Sequence, residues 1–143
     1  MTIKAYIAAS FARRTEAMDC AHQLHRMGID VVSTWHVGEH DGTPESHLLH
    51  DEQATIAAND WDDLERASLL IVLGDAPGCY EGHGGKFVEL GIALAMGITV
   101  IVVSFRESVY GHHRDVIYTA DWETARTYVS GLQVDSWGKV RAA

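Results

Sequence analysis

The chain has 143 residues, a formal net charge of −9, 47% hydrophobic and 22% charged residues. These proportions belong to a globular protein with one good core, and the acidic excess excludes a nonspecific grip on duplex nucleic acid, whose affinity comes from neutralising phosphates. No apolar run reaches membrane-spanning length, the opening Met1-Thr2-Ile3-Lys4 lacks a signal peptide's basic and apolar regions, and Cys20 and Cys79 make no disulfide framework. The expectation is a single domain over 1–143, cytoplasmic, with reduced thiols and no membrane partner.

The elements alternate along the chain. Ile3 to Ala9 predicts a short apolar strand, and Thr15 to Met27 a helix with Ala17, Ala21 and Leu24 on one face, stopped by Gly28. Ile29 to Thr34 predicts a second strand, followed by a polar stretch from Trp35 to Pro44. A helix from Glu45 to Arg66, broken around Asp51, leads to a third strand, Ser68 to Leu73, whose continuous apolar run fits burial on both faces. The loop Gly74 to Gly85 enters another helix, Ile98 to Ser104 is a fourth strand, and Val116 to Tyr118 a short fifth. Asp121 caps a helix from Trp122 to Ser130, and the tail beyond Leu132 gives no signal.

Strands alternating with helices mean right-handed crossovers and a parallel sheet covered on both faces. The expected architecture is therefore α/β, a flavodoxin-like (Rossmann-like) three-layer fold with a five-stranded parallel sheet of order 2-1-3-4-5. In such sheets ligands bind beyond the carboxyl ends of the strands, at the switch point. That rule brings Ser10 and Phe11, the loop containing Asp75, and Gly85 and Lys86 to one cleft, with His36 forming a wall.

The most informative stretch is Gly84-Gly85-Lys86-Phe87-Val88-Glu89-Leu90-Gly91-Ile92-Ala93-Leu94-Ala95-Met96-Gly97. It reads as a glycine hinge, a helix and a glycine stop. Glu89 is expected in the first helical turn, where the positive end of the helix dipole favours a carboxylate. Gly91 in the helix interior costs roughly 1 kcal/mol relative to alanine, so something is expected to need the missing side chain. An isolated glutamate there would most simply be a solvated residue, but the other segments point to the same cleft.

Other motifs carry less. Ala8-Ala9-Ser10-Phe11 has no glycine of a dinucleotide fingerprint, and Gly82-His83-Gly84-Gly85-Lys86 fails the triphosphatase pattern, with Phe87 in place of the magnesium-binding Ser/Thr. His36, His40, His47 and His50 match no zinc spacing, so no metal or cofactor is expected. In Asp60-Trp61-Asp62-Asp63-Leu64 most acids should be solvated, yet Asp60 shares a helical face with Leu64 and so points to the sheet side, nearer the cleft.

Three segments in order, Tyr6-Ile7-Ala8-Ala9-Ser10-Phe11, Asp60-x3-Leu64 and Val88-Glu89-Leu90-Gly91-x-Ala93-Leu94-Ala95-x-Gly97, resemble the nucleoside 2-deoxyribosyltransferase superfamily from about Ile3 to Val103. That superfamily includes base-exchanging transferases and hydrolases of nucleoside 5′-monophosphates. The resemblance implies Glu89 as nucleophile, Asp60 as the acid that helps the base leave, and Tyr6 as a residue steadying the nucleophile. Val32-Ser33-Thr34-Trp35-His36 is similar to the hydrolase branch, implying that His36 reaches the nucleotide and Ser10 its phosphate. Ala12 stands where that branch carries arginine, with Arg13 adjacent, and the loop before the nucleophile lacks its phosphate serine, leaving His83 or Lys86 instead.

The expected activity is cleavage of the N-glycosidic bond of a (deoxy)nucleoside or its 5′-monophosphate, with water as acceptor. The alternatives are 2-deoxyribosyl transfer between bases and a non-catalytic nucleotide-binding module. The resemblance further implies a homo-oligomer whose site is completed from a neighbouring copy, with Ser108 and His112 as candidates after the fourth strand.

Overall fold

The computed structural model describes residues 1–38, 43, 47–79 and 84–143. Strand β1 (Lys4–Ala8) is followed by a 3₁₀ turn (Phe11–Arg13), helix α1 (Arg14–Arg26) and strand β2 (Asp30–Val31). Helix α2 (His50–Glu65), strand β3 (Leu69–Leu73), helix α3 (Gly85–Met96) and strand β4 (Thr99–Val103) come next. A second 3₁₀ turn (Val109–His112) precedes strand β5 (Val116–Thr119) and helix α4 (Trp122–Ser130), and strands β6 (Leu132–Val134) and β7 (Val140–Ala142) close the chain.

Strands β1 to β5 pair in parallel in the order 2-1-3-4-5. All five side chains of β3 are buried, which explains its unbroken apolar run. Each such Leu, Ile or Val contributes about 1.5–3 kcal/mol by leaving water. The two-residue side-chain period splits the core. Ala5, Ile7, Leu69, Ile71 and Ile101 pack with Leu24 of α1 and Val129 of α4. Tyr6, Ala8, Leu70, Val72 and Val100 pack with Leu64 of α2 and Leu90 of α3. Tyr6 therefore shares its face of the sheet with the helices that carry Asp60 and Glu89.

Four features differ from the sequence reading. Strand β2 is two residues long rather than six, because Ser33 leaves the ladder and offers its side chain: the Ile7 N–H donates to Ser33 Oγ at 3.1 Å. Helix α2 starts at His50, where the Leu49 N–H donates to Glu52 Oε2 at 2.8 Å, so the expected break at Asp51 is the helix start. The expected start at Glu45 lies outside the described residues. Because α3 begins at Gly85, Glu89 is its fifth residue and sits in the second turn, beyond the strongest reach of the helix dipole. The tail docks as an antiparallel hairpin: Leu132 and Val140 are buried, and Thr99 Oγ1 donates to the Val140 carbonyl at 2.9 Å.

Two glycines behave oppositely. Gly74 ends β3 against the loop after β4, and a Cβ there would fall 2.0 Å from the Phe105 carbonyl oxygen. A Cβ on Gly91 would meet nothing within 4 Å among the described residues, so no contact among them needs the missing side chain. Gly74→Ala is expected to lose roughly 1–3 kcal/mol or more by overpacking, whereas Gly91→Ala should gain roughly 0.5–1 kcal/mol as an ordinary helix substitution. Urea unfolding reads both signs, and a Gly74→Ala protein as stable as the parent would contradict the close approach.

Candidate functional site

At the switch point strand β1 meets α3 through a side-chain bond. Tyr6 is fully buried, and its Oη donates to Glu89 Oε1 at 2.7 Å. Burial pushes the Tyr6 phenol well above its ordinary value, and the charges of Glu89 and Asp60 push it further. The phenol is thus held protonated, as a permanent donor to Glu89. Asp60 lies one turn before the buried Leu64 on α2, is itself partly buried, and is close enough to act electrostatically on Tyr6. The structure therefore bonds Tyr6 to Glu89 and sets Asp60 within electrostatic reach of Tyr6.

His36 forms the expected wall. It is 2% exposed, its Nε2 pairs with Ser33 Oγ at 3.0 Å, and its Nδ1 has no hydrogen-bond partner among the described residues. Burial lowers its pKa against a weaker opposing pull from Asp63, so the ring is neutral near pH 7. Trp35 locks the same turn by donating Nε1–H to the Ile7 carbonyl at 2.6 Å, and stacks edge-on against His36 at 5.3 Å. Phe11 lies 6.5 Å from the Trp35 ring, lining the same side.

Asp63 holds this turn in place and so is not among the acids of that helix that are simply solvated. It is buried, accepts from the Thr34 N–H at 2.9 Å and from Thr34 Oγ1 at 2.6 Å, and pairs with Arg66. The usable signal was its i,i+4 relation to the buried Ala67, the same argument that singled out Asp60.

The third segment is a buried charge cluster. Asp75 accepts a short hydrogen bond from Ser10 Oγ, and Lys86 Nζ lies 2.7 Å from Asp75 Oδ2 and 3.3 Å from Ser10 Oγ. Lys86 also meets Glu107 Oε2 at 2.6 Å, with both side chains almost wholly buried. Arg13 commits its donors to the carbonyls of Leu73 and Gly74, to Asp75 and to Glu16. Ser10, Arg13, Asp75 and Lys86 thus converge as expected, but they bond one another. Gly85 is exposed as the first residue of α3. Ser108 Oγ is buried without a partner among the described residues, whereas His112 is exposed at the end of its 3₁₀ turn. His83 lies outside the described residues. Glu107 was not anticipated: it belongs to the segment that supplied Ser108 and His112, but no local pattern marks a carboxylate that pairs with a distant lysine.

Among the described residues no group of three His, Cys, Asp or Glu side chains gathers as a metal site, and no helix is long and apolar enough to cross a membrane.

Fold and site together define a parallel α/β protein that presents a helix-borne glutamate, a buried tyrosine and a second carboxyl group at its switch point. No family model and no curated protein matches the sequence. Solved structures do. A 2-deoxyribosyltransferase from Bacillus psychrosaccharolyticus matches with a TM-score of 0.63 at 17% identity, covering 98% of each chain. A CMP N-glycosidase from Clostridium botulinum matches with a TM-score of 0.56 at 18% identity, over 88% of this chain and 97% of that one. A conserved protein from Enterococcus faecalis matches at 0.54 and 20% identity, over 78% of this chain and 71% of the other. At these identities the likeness is one of fold, and it is the fold that the nucleoside 2-deoxyribosyltransferase resemblance implies.

The Asp75 carboxyl carries a consequence for stability. Burial pushes its pKa up, but the bonds from Lys86, Ser10 and Arg13 outweigh burial and hold it below the ordinary carboxylate range. Its stabilising contribution is therefore present above the unfolded value of about 4 and is lost as pH falls from there through the folded value. Asp75→Asn should be less stable at neutral pH, and its deficit should shrink in acid. Urea midpoints across that window test this, and a deficit independent of pH would contradict it.

Proposed function

We propose that the chain is an enzyme of the nucleoside 2-deoxyribosyltransferase type that cleaves the N-glycosidic bond of a (deoxy)nucleoside or its 5′-monophosphate, with water as acceptor. The observation that carries this reading is the buried Tyr6–Glu89 bond with Asp60 beside it. Support comes from the shared fold, since one structural neighbour is a CMP N-glycosidase and another a 2-deoxyribosyltransferase.

Glu89 attacks C1′ as the C1′–N bond breaks, and the bonding pair leaves with the base. Asp60 supplies the proton that neutralises the departing base, so it must begin protonated while Glu89 begins ionised. The result is a sugar ester on Glu89, as in retaining glycosidases. Tyr6 holds the attacking carboxylate in one orientation, which limits the entropy lost on reaching the transition state. Water then attacks C1′, gives a proton to the ionised Asp60, and the ester bond breaks to restore Glu89. His36, neutral and with an Nδ1 that has no partner among the described residues, is suited to hydrogen-bond the substrate. Ser108 and the exposed Val109 and Tyr110 form the edge at which a second copy would complete the site.

Transfer to a second base uses the same ester, and the transferase neighbour favours it as the second reading. Incubating a deoxynucleoside with and without a different free base separates the two: the proposal expects free sugar in both cases, and exchange with little free sugar favours transfer. Glu89→Gln should lower base release by at least about a thousandfold, since the nucleophile itself is lost. A Glu89→Gln protein releasing base at the parent rate would overturn the reading.

A further inference from the structure

The same chemistry would act on a nucleoside with or without a 5′-phosphate, and the buried charges beside Glu89 bear on which one enters. Resting on the function proposed above, we propose that the site selects the unphosphorylated nucleoside, because Asp75 and Glu107 already hold the cation and the hydroxyl that a phosphate group would need.

Lys86 lies three residues before Glu89 on α3, so the two share a helical face and the cluster flanks the proposed nucleophile. A phosphate arriving there would look for Lys86, Ser10 and Arg13. Lys86 is 7% exposed and sits between two carboxylates, Asp75 at 2.7 Å and Glu107 at 2.6 Å. Ser10 donates its one hydroxyl proton to Asp75, and Arg13 bonds Asp75, Glu16 and two backbone carbonyls. Among the described residues the cluster sets three carboxylates, Asp75, Glu107 and Glu16, against two cations, so these residues leave no positive charge to spare.

A phosphate monoester brings about −1.5 to −2 charges near neutral pH and only acceptors. To bind Lys86 it would have to displace Glu107, leaving that buried carboxylate without its cation, or Asp75, which would keep only Ser10 and Arg13; both are unfavourable. The cluster instead lacks a donor: Glu107 Oε1 is buried with no partner among the described residues. A sugar hydroxyl can donate to such an oxygen, and a phosphate dianion cannot. Discrimination thus arises from repulsion of one ligand as much as from attraction of the other.

The test uses the full chain with matched pairs, each 2′-deoxynucleoside against its own 5′-monophosphate for four bases. Two readouts are taken: kcat/KM for base release, and calorimetric binding to the Glu89→Gln protein. The proposal expects the nucleoside to lead by at least about tenfold in both. Asp75→Asn and Glu107→Gln each remove one negative charge and should move the ratio about tenfold toward the monophosphate. Equal or better use of the monophosphate by the parent protein would overturn it, whatever the variants do. If no base is released from any substrate, the proposed reaction fails, and binding alone decides the selectivity. Tighter nucleoside binding then sustains it, while tighter monophosphate binding, or none of either ligand, overturns it.

Discussion

The hydrogen bond from Tyr6 Oη to Glu89 Oε1 joins the middle of the sheet to the helix that carries the proposed chemistry. A phenol buried on β1 cannot leave its hydroxyl unpaired, because an unsatisfied buried donor costs about 1–3 kcal/mol. That requirement ties α3 to β1 across 83 residues of sequence. It also works only in one register, since a shift of β1 by one residue would turn Tyr6 to the other face of the sheet. The parallel pairing of Tyr6 with Leu70, and of Leu70 with Val100, supplies that register. Core packing and site geometry are therefore one constraint.

Around that bond, side chains take over where the backbone ladders stop. Ser33 replaces a carbonyl of β2, Asp63 fixes Thr34, and Arg13 caps the carbonyls of Leu73 and Gly74. Each satisfies backbone groups that the open ends of the strands would leave unpaired. Gly74 lets the loop after β4 approach closely, bringing Glu107 within reach of Lys86. A buried ion cluster of this kind is weak evidence for stability, because desolvation offsets much of the attraction. In the proposed site its value lies in setting the charge that a ligand would meet.

The parts legible in the sequence were those with a period. The order of elements and the buried β3 followed from apolar runs, and α4 from its Asp121 cap, which accepts from the Thr124 N–H at 2.7 Å. Asp60 followed from a four-residue spacing, while the roles expected of Tyr6, Glu89 and Asp60 came with the family resemblance. The remainder depended on long-range pairing. Ser33 shortens β2 through a bond to Ile7, twenty-six residues away, and Glu107 reaches back to Lys86; neither leaves a local trace. Apolar periodicity predicted a six-residue strand at 29–34, because buried Val32 and Ser33 look like strand residues whether or not the ladder continues. The phosphate contacts expected around Ser10, Arg13 and Lys86 came with the family resemblance, which does not register that Asp75 bonds all three and that Glu107 pairs with Lys86.

In the proposed reaction Glu89 carries the sugar during turnover. The most direct measurement of this step is mass spectrometry of the protein quenched during reaction with a 2-fluoro-sugar nucleoside, whose fluorine slows breakdown of a glycosyl ester. One added sugar mass, without the base, is expected on the peptide of α3 containing Glu89, and none on the Glu89→Gln protein. Base release at the parent rate with no adduct on that peptide, or an adduct on another residue, would contradict it.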